Sequence, residues 1–196
     1  MVNIALFGTS ADPPTSGHQA ILKWLSHHYD LVAVWASDNP FKSHQTPLEH
    51  RATMLRLLIE EIQPPRENII LYQSLSSPRT LETIGKARQH WGEQVTLTLV
   101  IGSDLIGQMP RWYQVEQLLN QVRLLVVPRP GYEIDEAGLE ELKRLGGEIA
   151  IADLQAPAVS STAYRESGDS EVITPPVEHY IHQEQLYECQ DAAPSR

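Results

Sequence analysis

Cysteine is almost absent: Cys189 is the single one in 196 residues, so no internal disulfide can form and no cysteine cluster can hold a metal. Such a chain suits a reducing compartment, and the cytoplasm is the expected location. Long apolar runs are missing too, with nothing near the roughly 20 residues that a membrane span needs. The opening Met1-Val2-Asn3-Ile4-Ala5-Leu6-Phe7-Gly8 has no basic leader and reads as a strand rather than a signal peptide. Positive charge is scarce. Fifteen Lys and Arg face 25 Asp and Glu, a net charge of −10, which argues against a nucleic-acid partner but not against a small anion in a local basic pocket. The His-rich stretches (His27-His28, His44, His50) are spaced too loosely for a ligand set, so no resident metal is expected. There is also no internal repeat and no low-complexity linker.

What is present is alternation. Short apolar runs at 2–7, 31–36, 68–73, 95–101, 123–127 and 148–152 read as strands. Between and after them, helical patterns fall at 17–28, 48–62, 78–91, 134–145 and 175–187. The runs at 95–101 and 123–127 are nearly continuous in apolar residues, as strands covered on both faces should be. The expectation is a single α/β domain over 1–189, Rossmann-like, with a mostly parallel sheet, helices on both faces and a disordered tail at 190–196. Ligands of such sheets lie beyond the carboxyl ends of the strands, so the loops after the strands are where function is to be sought.

The first loop runs Gly8-Thr9-Ser10-Ala11-Asp12-Pro13-Pro14-Thr15-Ser16-Gly17-His18. Ser16 with Gln19 three residues on forms a capping box that starts a helix at Gly17 and puts His18 in its first turn. Free N–H groups and the helix dipole favour a phosphate there. Gly8 frees the chain to turn off the strand, and Gly17 permits close approach of a ligand. A plain capped helix with an exposed His18 reads equally well from these residues alone. No Gly-x-Gly-x-x-Gly and no Walker loop follows the first strand, which sets aside redox dinucleotide and P-loop chemistry.

Near the other end, Ser160-Ser161-Thr162-Ala163-Tyr164-Arg165 offers hydroxyls at a helix start and a guanidinium fork for phosphate oxygens. Glu166-Ser167-Gly168-Asp169 then cuts that helix short. Four middle segments also carry chemistry: Asn39-Pro40-Phe41-Lys42-Ser43-His44, Ser77-Pro78-Arg79-Thr80-Leu81-Glu82-Thr83, Ile101-Gly102-Ser103-Asp104 with Trp112, and Val127-Pro128-Arg129-Pro130-Gly131-Tyr132. An indole such as Trp112 can stack on a pyridine ring, and Asp104 can accept hydrogen bonds from ribose or base. Ser77 reads as the cap of the next helix, with Pro78 in first position and Arg79 and Thr80 in the first turn. Arg51 reads as a surface charge.

In order, these segments resemble the nucleotidylyltransferase superfamily, and within it the nicotinate-nucleotide adenylyltransferases. Their G-x-F-D-P-x-(H/T)-x-G-H loop is matched by Asp12-Pro13 and Thr15-Ser16-Gly17-His18, and their I-S-x-T-x-x-R by 159–165. The middle segments parallel the family's N-x-P-x-x-K, S-Y-T-x-D-T, I-G-x-D…W and V-x-R-P-G-Y. Thr9 stands where the family usually has a second glycine, Ala11 where it has Phe, and Arg79 where it has Tyr. The resemblance spans Leu6 to Tyr187. It implies transfer of AMP from ATP to nicotinate mononucleotide, giving deamido-NAD and pyrophosphate, with Mg²⁺ delivered on ATP. By resemblance the catalytic set is His18, Thr15 and Arg165. ATP would meet Gly8, Thr9, Ser10, Gly17 and His18 at one end. Gly102, Asp104, Ser160, Thr162 and Arg165 would complete its site. Lys42, His44, Arg79, Thr80 and Trp112 would take the mononucleotide. The rivals are another acceptor (NMN, phosphopantetheine or FMN) and a non-catalytic nucleotide-binding regulator.

Overall fold

A computed structural model describes residues 1–39 and 42–188. Pro40, Phe41, Cys189 and the expected disordered tail at 190–196 lie outside the described residues. Six strands form one sheet: β1 Asn3–Thr9, β2 Leu31–Ala36, β3 Ile69–Leu71, β4 Thr96–Gly102, β5 Arg123–Val127 and β6 Ile149–Ile151. Their order is β3-β2-β1-β4-β5-β6, and every neighbouring pair is parallel. The sheet is thus wholly rather than mostly parallel. The helices are α1 Ser16–His28, α2 Leu48–Glu60, α3 Thr80–Trp91, α4 Val115–Leu119, α5 Glu136–Arg144, α6 Ser161–Ser167 and α7 Pro175–Gln183. None among the described residues is long and apolar enough to cross a membrane.

The strand period of two separates two cores. Ala5 and Phe7 of β1 face α1, α2, α6 and α7 through Leu22, Leu25, Met54, Leu58, Tyr164, Val177 and Ile181. Ile4 and Leu6 face the opposite way, onto Ile84 of α3, Leu118 of α4 and Leu142 of α5. The winding reverses at β1, which sits between β2 and β4. A crevice opens at such a switch point, beyond the carboxyl ends of β1 and β4.

Two glycine readings change. β1 does not turn at Gly8 but continues through Thr9, with Gly8 opposite Trp35 of β2. A Cβ on Gly8 would lie 2.6 Å from the Trp35 indole, so the glycine makes room for a side chain, not for a bend. At Gly17 the close neighbour is the chain before α6: a Cβ would stand 3.1 Å from Val159 Cγ2.

Candidate active site

The start of α1 is capped by Thr15, not Ser16. Thr15 is buried, and its backbone N–H donates to His18 Nδ1 at 2.9 Å. His18 therefore takes the third-position role expected of Gln19. Its ring is tied into the loop rather than exposed. Nε2 lies 2.9 Å from Thr9 Oγ1, and Nδ1 is also 3.0 Å from Thr15 Oγ1. Burial, with the nearby positive charge of Arg129 adding to it, pulls the imidazole pKa down to about 4. His18 is thus neutral at physiological pH, and what it can offer an anion is an N–H rather than a resident charge.

Around that histidine the loop is pinned from three directions. The buried carboxylate of Asp12 accepts from the Tyr187 hydroxyl at 2.5 Å and from Thr46 N–H at 3.3 Å. The Asp12 carbonyl accepts from Arg165, whose other terminal nitrogen donates to Thr162 Oγ1 at 3.2 Å. Ser161 Oγ donates to the Pro13 carbonyl at 2.7 Å, so α6 docks directly on the loop. Ser160 caps α6 by accepting from Ala163 N–H at 3.0 Å, and Gly168, in the left-handed region, ends it as expected. The two signature segments, some 150 positions apart, thereby meet.

Lys42 joins them: its ammonium donates to Ser10 Oγ at 2.9 Å. Desolvation lowers its pKa first, and the positive charges of Arg165 and Arg129 push the same way, against Asp104 and Asp12. Several cations facing one another across a polar loop, in a chain of net charge −10, make a local anion site. Sequence reasoning passed over Arg129 within the Val127–Tyr132 stretch. It pairs with Asp104 at 2.8 Å, while Ser103 Oγ accepts from its backbone N–H. Asp104 is therefore an ion-pair partner. Gly102 leaves the space its carboxylate occupies.

Arg51 is the plainest correction. It is 2% exposed, and its guanidinium donates to the carbonyls of Ser10, Ser37 and Thr46 at 3.0, 2.6 and 2.7 Å. It braces the loops that carry Ser10 and Lys42. A single Arg on a helical pattern gives no sign of such a role, because its partners are backbone carbonyls of distant loops. Asp12 and Tyr187 were missed for a similar reason, although Asp12 stood inside the quoted motif.

On the acceptor side, α3 starts later than expected. Its cap is Arg79, not Ser77, and Thr80 is the first helical residue. Pro78 therefore precedes the helix instead of opening it, because Arg79 keeps an extended backbone. The Arg79 guanidinium lies 4.1 Å above the ring centre of Tyr113, next to Trp112. Trp112 packs half-buried on the core beneath α3 and α4. His44 is exposed with φ of 59°, and it is not drawn to the His18 cluster. Among the described residues no three His, Cys, Asp or Glu side chains converge as a metal site.

A parallel sheet with a cationic, hydrogen-bonded cradle at its switch point is the arrangement of an α/β nucleotide-transferring enzyme, and the cytidylyltransferase-like family model matches residues 6–167. A protein of Synechocystis sp., named a probable nicotinate-nucleotide adenylyltransferase, is 46% identical over 95% of this chain and 99% of its own. The nicotinate-nucleotide adenylyltransferase of Bacillus subtilis is 27% identical over 96% and 100%. The chain belongs to the cytidylyltransferase-like family and, within it, to the nicotinate-nucleotide adenylyltransferases. In fold it is similar to the nicotinic acid mononucleotide adenylyltransferase of Plasmodium falciparum complexed with NaAD. The TM-score is 0.82 at 21% identity, covering 95% of this chain and 98% of that one.

Proposed function

We propose that the protein, acting as one domain over 1–189 in the cytoplasm, joins ATP and nicotinate mononucleotide into deamido-NAD and pyrophosphate. The observation that carries this reading is that Lys42 on Ser10 Oγ and Arg165 on the Asp12 carbonyl gather around the loop that opens the His18 helix, with the Arg129 charge acting on His18, in a chain of that family. A phosphate oxygen of the mononucleotide attacks the α-phosphorus of ATP in line. The new O–P bond forms as the bond to the bridging oxygen of pyrophosphate breaks. Both reactants already carry phosphate, so no protein nucleophile is needed, and catalysis is positioning plus neutralisation of spreading negative charge.

His18 Nε2–H and the N–H groups opening α1 would meet the α-phosphate, with Thr15 holding the ring. Arg165 with Ser160 and Thr162 would hold the β- and γ-phosphates that leave. Thr9, Ser10, Gly8, Gly17 and Gly102 would line the ATP path, and Asp104 would keep Arg129 in place. Lys42 would bridge toward the incoming phosphate, while Arg79, Thr80 and Trp112 would receive the nicotinate ring, with His44 at the rim. Nucleotidyltransferases of this kind generally use a divalent metal with ATP. We take it to be Mg²⁺ bound through the ATP phosphates, since the described residues offer cations and no carboxylate cage. When bound, it would supply neutralisation of the charge on the leaving pyrophosphate.

Pyrophosphate release from ATP, Mg²⁺ and each candidate mononucleotide tests the proposal. Release with nicotinate mononucleotide is expected. Silence with both the acid and the amide substrates would leave a nucleotide-binding regulator, and a preference for the amide would change the acceptor.

A further inference from the structure

Thr9 is the last residue of β1, at the mouth of the switch-point crevice, where the family resemblance places a glycine with no side chain. Here its hydroxyl sits 2.9 Å from His18 Nε2. The other ring nitrogen decides what that contact is. Nδ1 faces the backbone N–H of Thr15 at 2.9 Å, and a backbone N–H can only donate. Nδ1 must therefore be the bare, accepting nitrogen, and in the neutral ring the proton sits on Nε2. The Thr9 oxygen accepts it. Imidazole rotation about its terminal torsion is broad and nearly two-fold when nothing holds the ring. Two anchors on opposite edges remove that freedom; one does not.

We propose that Thr9 is a positioning residue of this enzyme, whose hydroxyl holds the His18 ring with Nε2–H turned to the α-phosphate site before ATP arrives. This rests on the adenylyl-transfer reading above. The anchor does not trap the donor. When a phosphate oxygen enters, Nε2–H exchanges a neutral acceptor for a charged one, and hydrogen bonds to ionised acceptors are about twice as strong. The residue that replaces the usual glycine thus supplies orientation, and it does so with a side chain other members need not have.

The test compares Thr9→Val, which keeps the shape and removes the oxygen, with Thr9→Ser, which keeps the oxygen. Thr9→Val should lower kcat about tenfold, equal to about 1.4 kcal/mol, with the KM for ATP changed by less than about twofold. Thr9→Ser should return kcat to within about threefold of the parent, about 0.6 kcal/mol. Nuclear magnetic resonance of histidine-labelled full-length protein at neutral pH should show His18 neutral, protonated on Nε2, with that proton slow to exchange. In Thr9→Val the slow exchange should be lost. The proposal is overturned if Thr9→Val matches or exceeds the parent kcat, if Thr9→Ser is as slow as Thr9→Val, or if parental His18 carries its proton on Nδ1. Should the parent turn over neither mononucleotide, the activity reading fails. The labelled-histidine spectra of parent and Thr9→Val still decide the Thr9 contact by themselves. If Thr9→Val folds too poorly for kinetics, the parent spectrum decides by the ring nitrogen that carries the proton, and Thr9→Ser by whether its slow exchange persists.

Discussion

Asp12, Thr15, His18 and Arg165 are cross-linked to one another, to Tyr187 and to α6, whereas Arg79, Tyr113 and His44 stand exposed on the acceptor side, with Arg79 held by one cation–ring stack. In the proposed reaction the first region meets triphosphate, whose charge is the same in every turnover. Its donors can therefore be fixed in advance, and fixed donors need no reorganisation as charge develops. The second must tell one nicotinoyl ring from another and lies where solvent still competes. Substitutions at the phosphate end should change rate, and those at the acceptor end should change selectivity with a smaller energetic reach.

The sharpest way to break that contrast is His18→Ala. It should leave folding intact and reduce kcat by at least about 100-fold, the scale of losing one preorganised donor at a developing charge. A purified variant with near-normal kcat would take His18 out of the mechanism. Titration adds a second reading. The folded pKa, about 4, lies below the ordinary 6.5, so the unfolded chain binds the proton first as pH falls. His18 thus contributes stability that is complete above pH 6.5 and lost as pH falls through 4, on the order of 3 kcal/mol in full. Thermal unfolding of the parent should steepen in that window relative to His18→Ala. The kcat profile should show no inflection from His18 near 6.5. A conventional inflection there that vanishes in the variant would mean the ring is charged, not neutral.

Next in size is Arg165→Ala. Loss of a charge-assisted contact to the leaving phosphates should cost about 1.5–3 kcal/mol in kcat/KM for ATP. KM for the mononucleotide should stay near the parent value, because α6 docks on the ATP loop. Steady-state kinetics with each substrate varied in turn separates these. Equal losses for both substrates would show that the residue supports the loop through the Asp12 carbonyl rather than meeting phosphate.

The same contrast governs what was legible in the sequence. The strands at 31–36 and 123–127 matched to the residue, because buried parallel strands are bounded sharply by polar turns. The helix start at His18 and the hydroxyl-rich start of α6 stood out as local features, but it was the family resemblance that singled out His18, Thr15 and Arg165 together, and the structure brings their two segments into contact. The caps were misplaced by one residue at α1 and two at α3. In both cases a Ser satisfies a local rule and another residue caps: at α1 a rival local contact wins, the His18 ring three residues on accepting from Thr15 N–H, and at α3 the extended cap is Arg79, whose guanidinium stacks on the distant Tyr113. Arg51, Asp12 and Tyr187 were illegible because their partners lie on other loops, up to 175 positions away for Asp12 and Tyr187. No periodicity encodes such pairs.

The smallest expected effect concerns Arg79 and the choice between acid and amide. The helix it caps begins at Thr80, and the first N–H groups of a helix have no internal carbonyl partner. A carboxylate on the pyridine ring could accept from them, with the helix dipole adding attraction. An amide would bring its NH₂ against donors, leaving groups unpaired at about 1–3 kcal/mol each. The acid should therefore be preferred by about 10- to 1000-fold in kcat/KM, most of it owed to the backbone. Arg79 adds a full charge nearby, but its side chain is exposed, so solvent and salt screen it. Its stack on the Tyr113 ring restrains the guanidinium at the start of α3. Arg79→Ala should then narrow the acid preference by only about 3- to 10-fold, about 0.6–1.4 kcal/mol, and leave the KM for ATP unchanged. Added salt should narrow the parent's preference and leave the variant's nearly flat. Equal kcat/KM for the two mononucleotides in the parent would sink the acid preference itself. A full collapse of selectivity in Arg79→Ala would instead make the side chain, and not the helix start, the reader of the carboxylate.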